Sequence, residues 1–214
     1  MATPIKLNLG SGPAGLDGWL NYDWGALPLL SKMPWLRRVL VRLGVLPAAY
    51  DVTWPVIRLV DIRKRLPLAD ATVNFIYCSQ VLEHMERWEA LRVLRESYRI
   101  LISGGCLRVS VPDLALICHA YHAGKGERPS QEACRLLWGH PKDVAPTGAV
   151  ARFCRRFIRP HEWCYDHPEM EQLLREAGFT DIHRCSFRKG ETPDLDRAEL
   201  DIHAPHSLYV EAFK

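Results

Sequence analysis

Short apolar runs alternate along this chain with longer stretches whose apolar residues recur at helical spacing. Ile5–Leu9 and Trp19–Tyr22 read as brief strands on either side of a glycine turn, Gly10-Ser11-Gly12. Val56–Asp61 and Val73–Ser79 are apolar enough to be strands buried on both sides. Residues 85–101 carry Leu91, Leu94, Tyr98 and Leu101 on one helical face, and Ser103-Gly104-Gly105 reads as the end of that helix. Cys106–Val111 is a fifth strand. Residues 167–179 form a helix closed by Gly178, followed by strands near 180–187 and 206–214. Two segments break the alternation. Residues 27–50 read as a helical insertion, with Pro34 in a first turn and Leu36, Leu40 and Leu43 on one face. Residues 114–160 are helical or irregular.

Strands alternating with helices predict an α/β fold, a mostly parallel sheet covered on both faces. The two closing strands, joined by a short link, predict one antiparallel addition. Ligands of such sheets bind beyond the carboxyl ends of the strands, and that is where polar residues interrupt the apolar pattern. Gly10 and Gly12 allow the backbone a close approach to a ligand. Asp23 ends the second strand, where a carboxylate accepts from ribose hydroxyls. Asp61 ends the third, placed to accept from an exocyclic amine, and Ser79 and Gln80 end the fourth. Taken singly, a GxG turn or a strand-end acid is weak evidence; four such tips in succession outline a crevice.

Composition narrows the classes. The 214 residues suit a single domain, 1–214, with insertions near 27–50 and 114–165. A formal charge of +3 is too small to imply a nucleic-acid partner. No apolar run approaches the ~20 residues of a membrane span, and residues 1–15 lack a signal-peptide pattern. Seven scattered cysteines do not form a disulfide framework, so a reducing, cytoplasmic setting is expected.

The succession LNLGSGP, NYD, DIRKRLPLAD, NFIYCSQVLEH, RILISGG and LRVSVPDL resembles the class I S-adenosylmethionine-dependent methyltransferases. More narrowly, with HEWCYDHPEMEQLLREAGF and SLYVEAFK, it is similar to small bacterial methyltransferases of the type 11-like subgroup. The resemblance implies a Rossmann-like, seven-stranded sheet with an antiparallel C-terminal strand. It implies S-adenosyl-L-methionine as cofactor, with Gly10, Ser11 and Gly12 along its methionine part and Asp23 on the ribose. Asp61 and the Ile62 backbone would then hold the adenine, and Ser79 and Gln80 the amino-acid end and sulfonium. Only ten residues separate Gly12 from Asp23, so the first helix is shortened. A dinucleotide's pyrophosphate wants a full helix N-terminus; S-adenosylmethionine carries no phosphate, and the short connection therefore disfavours a nicotinamide oxidoreductase.

The methyl acceptor implied is a hydroxyl or amine of a small molecule. The subgroup's association with glycan and secondary metabolism points to a sugar or glycosylated metabolite. A non-catalytic S-adenosylmethionine-binding scaffold is the competing class. Candidate bases for a hydroxyl acceptor are His84 and His161, then Asp113, then Tyr165, whose phenol is protonated at neutral pH. Cys118-His119 with His122, and His161, Cys164 and His167, bring metal-ligating residue types together, but neither matches a standard zinc spacing; no metal is expected. Arg37, Arg38 and Arg42 oppose the leucine stripe of 34–43. That pattern could contact an anionic membrane, but packing of the apolar side on the domain is the favoured expectation.

Overall fold

The structure, a computed structural model, describes residues 3–12, 15–46, 50–139, 160–201 and 206–214. Seven strands form one sheet: β1 Lys6–Leu9, β2 Leu20–Asp23, β3 Ile57–Leu59, β4 Val73–Ser79, β5 Leu101–Pro112, β6 Asp181–Cys185 and β7 Ser207–Phe213. Their order is β3-β2-β1-β4-β5-β7-β6. Pairings from β3 through β5 are parallel, and β7 runs antiparallel to both β5 and β6. The expected architecture is therefore present, with β7 inserted between β5 and β6.

Side-chain alternation divides the sheet into two unlike faces. Leu7, Leu9, Ile76, Cys78, Leu107, Val109 and Val210 share one face and belong to the main core. Over this face lie α3 Arg87–Ile100 and α6 His167–Ala177. α3 begins at a capping box between Glu86 and Glu89, which satisfies orphan amides at its first turn. The two helices are tied by Arg87, which bonds Glu169 at 2.8 Å and Glu176 at 2.8 Å. Gly178, at φ 114, closes α6 as expected.

The opposite face is polar: Asn8, Tyr77, Arg108, Ser110 and Glu211 are buried there. No α-helix lies between β1 and β2 among the described residues; a turn stands there, with Trp19 N donating to Leu16 O. Leu16 and Trp19 pack with Tyr77, Leu195 and Leu200 in a second, smaller core. Asp201 anchors the covering segment by accepting from Arg108 Nε, Tyr77 OH and Arg188 N. Arg108 also donates to Glu211. A buried cation is thus held between two buried acids, the condition under which burial of charge is tolerated.

Three local expectations are corrected. The Ser103-Gly104-Gly105 stretch does not end α3. The helix stops at Ile100, and its last carbonyls, Arg99 O and Ile100 O, accept from Ala71 N and Thr72 N. β5 starts at once, and Gly104 (φ 74) sits in an irregular stretch of it, donating to Lys214 O. The third strand is shorter than predicted, with Val56 80% exposed. In the 27–50 insertion, α1 Ala26–Leu29 precedes α2 Pro34–Arg42. There the leucine stripe is only partly inward: Leu36 and Leu40 are half-buried, and Leu43, just past the helix, is exposed. Arg37 is the buried residue of α2, donating to Val52 O at 2.6 Å and lying over the Trp54 ring, while Leu43 is 70% exposed. The guanidinium turns inward because it finds a carbonyl and an aromatic face there. α4 Leu114–His122 and α5 Pro129–Trp138 occupy part of the second insertion; its remainder, 140–159, lies outside the described residues.

Candidate active site

Three strand tips converge on the glycine turn. Gly10 N and Ser11 N both donate to Tyr22 O, at 2.8 and 3.3 Å, which joins the β1 tip to β2. Gly10 has φ 69, and a Cβ there would meet Val81 Cγ2 at 2.3 Å. Gly12, at φ 49, has open space where a Cβ would project, with nothing within 4 Å. Ser11 is buried, and its Oγ has no hydrogen-bond partner among the described residues. A buried hydroxyl without a partner is costly unless a ligand or water completes it.

Asp23 is committed to the turn on both oxygens: Oδ2 accepts from Gly12 N at 2.7 Å and Oδ1 from Trp24 N at 2.7 Å. Burial raises its pKa against those two bonds. Asp61 lies just past β3 and is gripped by Arg63, whose Nε reaches Oδ1 at 2.9 Å and Nη2 reaches Oδ2 at 3.0 Å. The Arg63 hydrogen bond holds that carboxyl below its usual range. Ile62, next along, is buried in the main core and so pins the loop to the sheet. Ser79 ends β4 half-buried. Gln80 follows in the left-handed region, φ 55, uncommon outside glycine. Its N donates to Ser110 O and its Nε2 reaches Ser110 Oγ and Ser207 Oγ, so it links the tips of β4, β5 and β7. The sequence-predicted cofactor residues thus stand at neighbouring tips of one sheet.

The acceptor-side candidates separate into two groups. Asp113 is fully buried and caps α4 by accepting from Ala115 N and Leu116 N, while Arg184 Nη2 lies 2.9 Å from its other oxygen. Tyr165 is also fully buried, with its hydroxyl 3.5 Å from Leu82 O and its pKa pushed well up by burial. Both residues hold the segment 160–165 in place: Asp113 bridges Tyr165, and Leu114 N donates to Tyr165 O. These contacts give Asp113 and Tyr165 structural work.

His84 and His161, 77 positions apart in sequence, meet edge to face with ring centroids at 4.8 Å. The cause is backbone stitching. Glu162 N donates to Glu83 O at 2.7 Å and Trp163 N to the same carbonyl at 3.3 Å. His84 Nδ1 lies 3.3 Å from Pro160 O. Between the histidines and the core stands Glu83, a residue the sequence reading passed over. It is 1% exposed, neither carboxylate oxygen has a hydrogen-bond partner among the described residues, and burial pushes its pKa up to about 8. The available signal was an acid inside the apolar run Val81-Leu82-Glu83-His84-Met85. Glu83 and His161 line a small, partly open cleft, with a volume of about 10 Å³, whose other walls include Leu114, Ile117, Leu136 and Trp163.

Residues 44–109 match the family model described as a methyltransferase domain. That span contains Asp61, Ser79, Gln80, Glu83 and His84 and leaves the glycine turn outside it. Two curated proteins from strains of Mycobacterium tuberculosis, both described as probable S-adenosylmethionine-dependent methyltransferases, are 28% identical over 126 residues. The match takes in 58% of this chain and 33% of each of them. Among solved structures, human N-acetylserotonin methyltransferase in complex with S-adenosylmethionine superposes with a TM-score of 0.53 at 12% identity, covering 99% of this chain and 47% of that one. A SAM-dependent methyltransferase from Archaeoglobus fulgidus gives 0.50 at 10% identity, covering 99% and 86%. At these identities the structural likeness concerns the fold.

Proposed function

We propose that this chain is a class I S-adenosylmethionine-dependent methyltransferase, a reading supported by the family-model and relative matches, and that it moves a methyl group from that cofactor to a hydroxyl or amine of a small molecule. The observation that carries the reading is the strand-tip crevice: glycines at positive φ, an unpartnered buried Ser11 hydroxyl, and acids at the ends of β2 and β3. These residues fit the cofactor. Gly12 leaves room for a ligand that a side chain would exclude, and Ser11 Oγ offers a hydrogen bond along its methionine part. Asp23 and Asp61 retain unused lone pairs for ribose hydroxyls and an amine, since each carboxylate oxygen accepts more than once.

When bound, S-adenosylmethionine supplies an activated methyl group on a sulfonium. The chain's own work is alignment, because in-line displacement depends on holding acceptor and methyl at near-attack distance and keeping water out. Val81 packs on Gly10, so the turn that follows, Leu82–His84, is set beside the glycines. His84 and His161 then stand on the acceptor side as the groups able to take a hydroxyl proton near neutral pH. The described parts of the two insertions, α1–α2 and α4–α5 with residues 160–165, are the walls proposed to select the acceptor. A sugar or glycosylated metabolite suits this reading, as does any compact hydroxylated molecule.

The test is isothermal titration of the purified chain with S-adenosylhomocysteine and with NAD, followed by product detection by mass spectrometry on a panel of hydroxylated and amino acceptors. Binding of the sulfur nucleoside alone, with mass gain of one methyl group on an acceptor, is the expected result. Binding of NAD without the sulfur nucleoside would remove the reading. Cofactor binding with no methylated product across the panel and in cell extract would favour a binding scaffold instead.

A further inference from the structure

We propose that Glu83, His84 and His161 form a binding site for a divalent transition metal ion of the zinc class. One ligand atom from each lies within 4.8 Å of the others. The carboxylate is the decisive member. It is buried and lacks a hydrogen-bond partner among the described residues, and an uncompensated carboxylate in that position is costly. A cation would complete it. The histidine beside it is steadied as metal ligands often are, with Nδ1 3.3 Å from a backbone carbonyl, Pro160 O. His161 is held from behind, since a Cβ on Gly139 would come within 2.2 Å of its Nε2. The backbone bonds from Glu162 and Trp163 to Glu83 O fix the two halves of the site together.

Two imidazoles and one carboxylate make the ligand set of open, three-residue zinc sites. Tetrahedral bonds of about 2.0–2.1 Å place ligand atoms roughly 3.3 Å apart, so closure from 4.8 Å requires side-chain movements of about 1.5 Å, within reach of χ rotations. The fourth position would face the cleft, where a hydroxyl acceptor or water could enter. An ion there would lower the pKa of a bound hydroxyl, and the histidines would then serve as ligands in place of bases. Neither cysteine-histidine cluster suggested by the sequence takes part as a set; His161 leaves its neighbours Cys164 and His167 for residues 77 and 78 positions earlier.

The metal question is separable from methyl transfer, because it is answered by binding alone. The full chain, stripped with chelator, is titrated with Co²⁺ and followed by visible absorption, then with Zn²⁺ in competition. One equivalent with d–d bands and no near-ultraviolet thiolate band is expected. Loss of an outer-sphere partner already weakens metal sites about 10–100-fold, so the isosteric Glu83→Gln and, separately, His161→Asn should each weaken Co²⁺ binding by about 100-fold or more. Circular dichroism and S-adenosylhomocysteine titration of the same variants establish that the fold and cofactor crevice persist. No Co²⁺ uptake by the wild type, uptake unchanged in both variants, or a thiolate band would overturn the site. If the wild type takes no metal yet binds S-adenosylhomocysteine, the methyltransferase reading stands and this one falls.

Discussion

Gly10→Ala tests whether the glycine turn is set by geometry at the crevice. Two penalties act at once. The backbone at φ 69 costs a residue with a Cβ about 1–2 kcal/mol. The new methyl would also lie 2.3 Å from Val81 Cγ2, with Cγ1 at 3.3 Å and Cβ at 3.4 Å. Because three atoms of a stiff β-branched side chain are close, rotation about χ1 does not clear the space and the turn itself must shift. Overpacking of that kind costs about 1–3 kcal/mol, for a combined loss of about 2–5 kcal/mol. In a chain of this size each kcal/mol lowers the melting temperature by about 2–4 °C. Urea unfolding of the wild type, Gly10→Ala, Val81→Ala and the double variant separates the parts. The clash share, about 1–3 kcal/mol, should appear as a favourable coupling, so that Gly10→Ala made in the Val81→Ala background costs only the backbone share. S-adenosylhomocysteine affinity should fall in Gly10→Ala and recover partly in the double variant. Strict additivity of the two substitutions, or a Gly10→Ala chain as stable as wild type, would refute the packing argument.

Asp201→Ala leaves Arg108 buried with Glu211 as its remaining acid, and removing one partner of a buried pair costs about 3–5 kcal/mol; calorimetry should find a melting temperature lower by about 6 °C or more. Asp61→Ala should weaken S-adenosylhomocysteine binding by about 1–3 kcal/mol. Asn74→Ala should leave it near wild type, because Asn74 Oδ1 serves to accept from Ile5 N at 2.8 Å; titration of both variants checks the contrast. The hydrogen bond from Arg63 holds the Asp61 pKa below its ordinary 3.8. Its stabilising contribution is therefore present above that value and lost as pH falls through the lower, folded-state value. Acid-unfolding curves of Asp61→Asn should accordingly lack part of the wild type's loss below pH 3.8, and superimposable curves would contradict the pairing.

The order of strands and helices, the sheet class and the polar strand tips were legible in the sequence because each depends on local rules. Period-two and period-3.6 apolar patterns specify which face of an element is buried, and Gly178 or Pro34 acts within one turn of its own position. Gly10, Ser11, Gly12, Asp23, Asp61, Ser79 and Gln80 could be found the same way, since each ends an apolar run. The tertiary structure decided what distant partners make of such residues. That Arg37 is the buried residue of α2 turned on a carbonyl at Val52 and a ring at Trp54, neither of them visible to helical periodicity. The glycines at 104 and 105 read as a helix stop, yet α3 ends where the amides of Ala71 and Thr72 donate to its last carbonyls. Asp113, a candidate base in the sequence, is a buried cap paired with Arg184. Most of all, Glu83 and His161 have no common local signal. They meet because two amides of the 160–165 segment bond one carbonyl of the Leu82–His84 turn, and a contact across 78 positions is set by the pairing of backbone donors and acceptors in three dimensions.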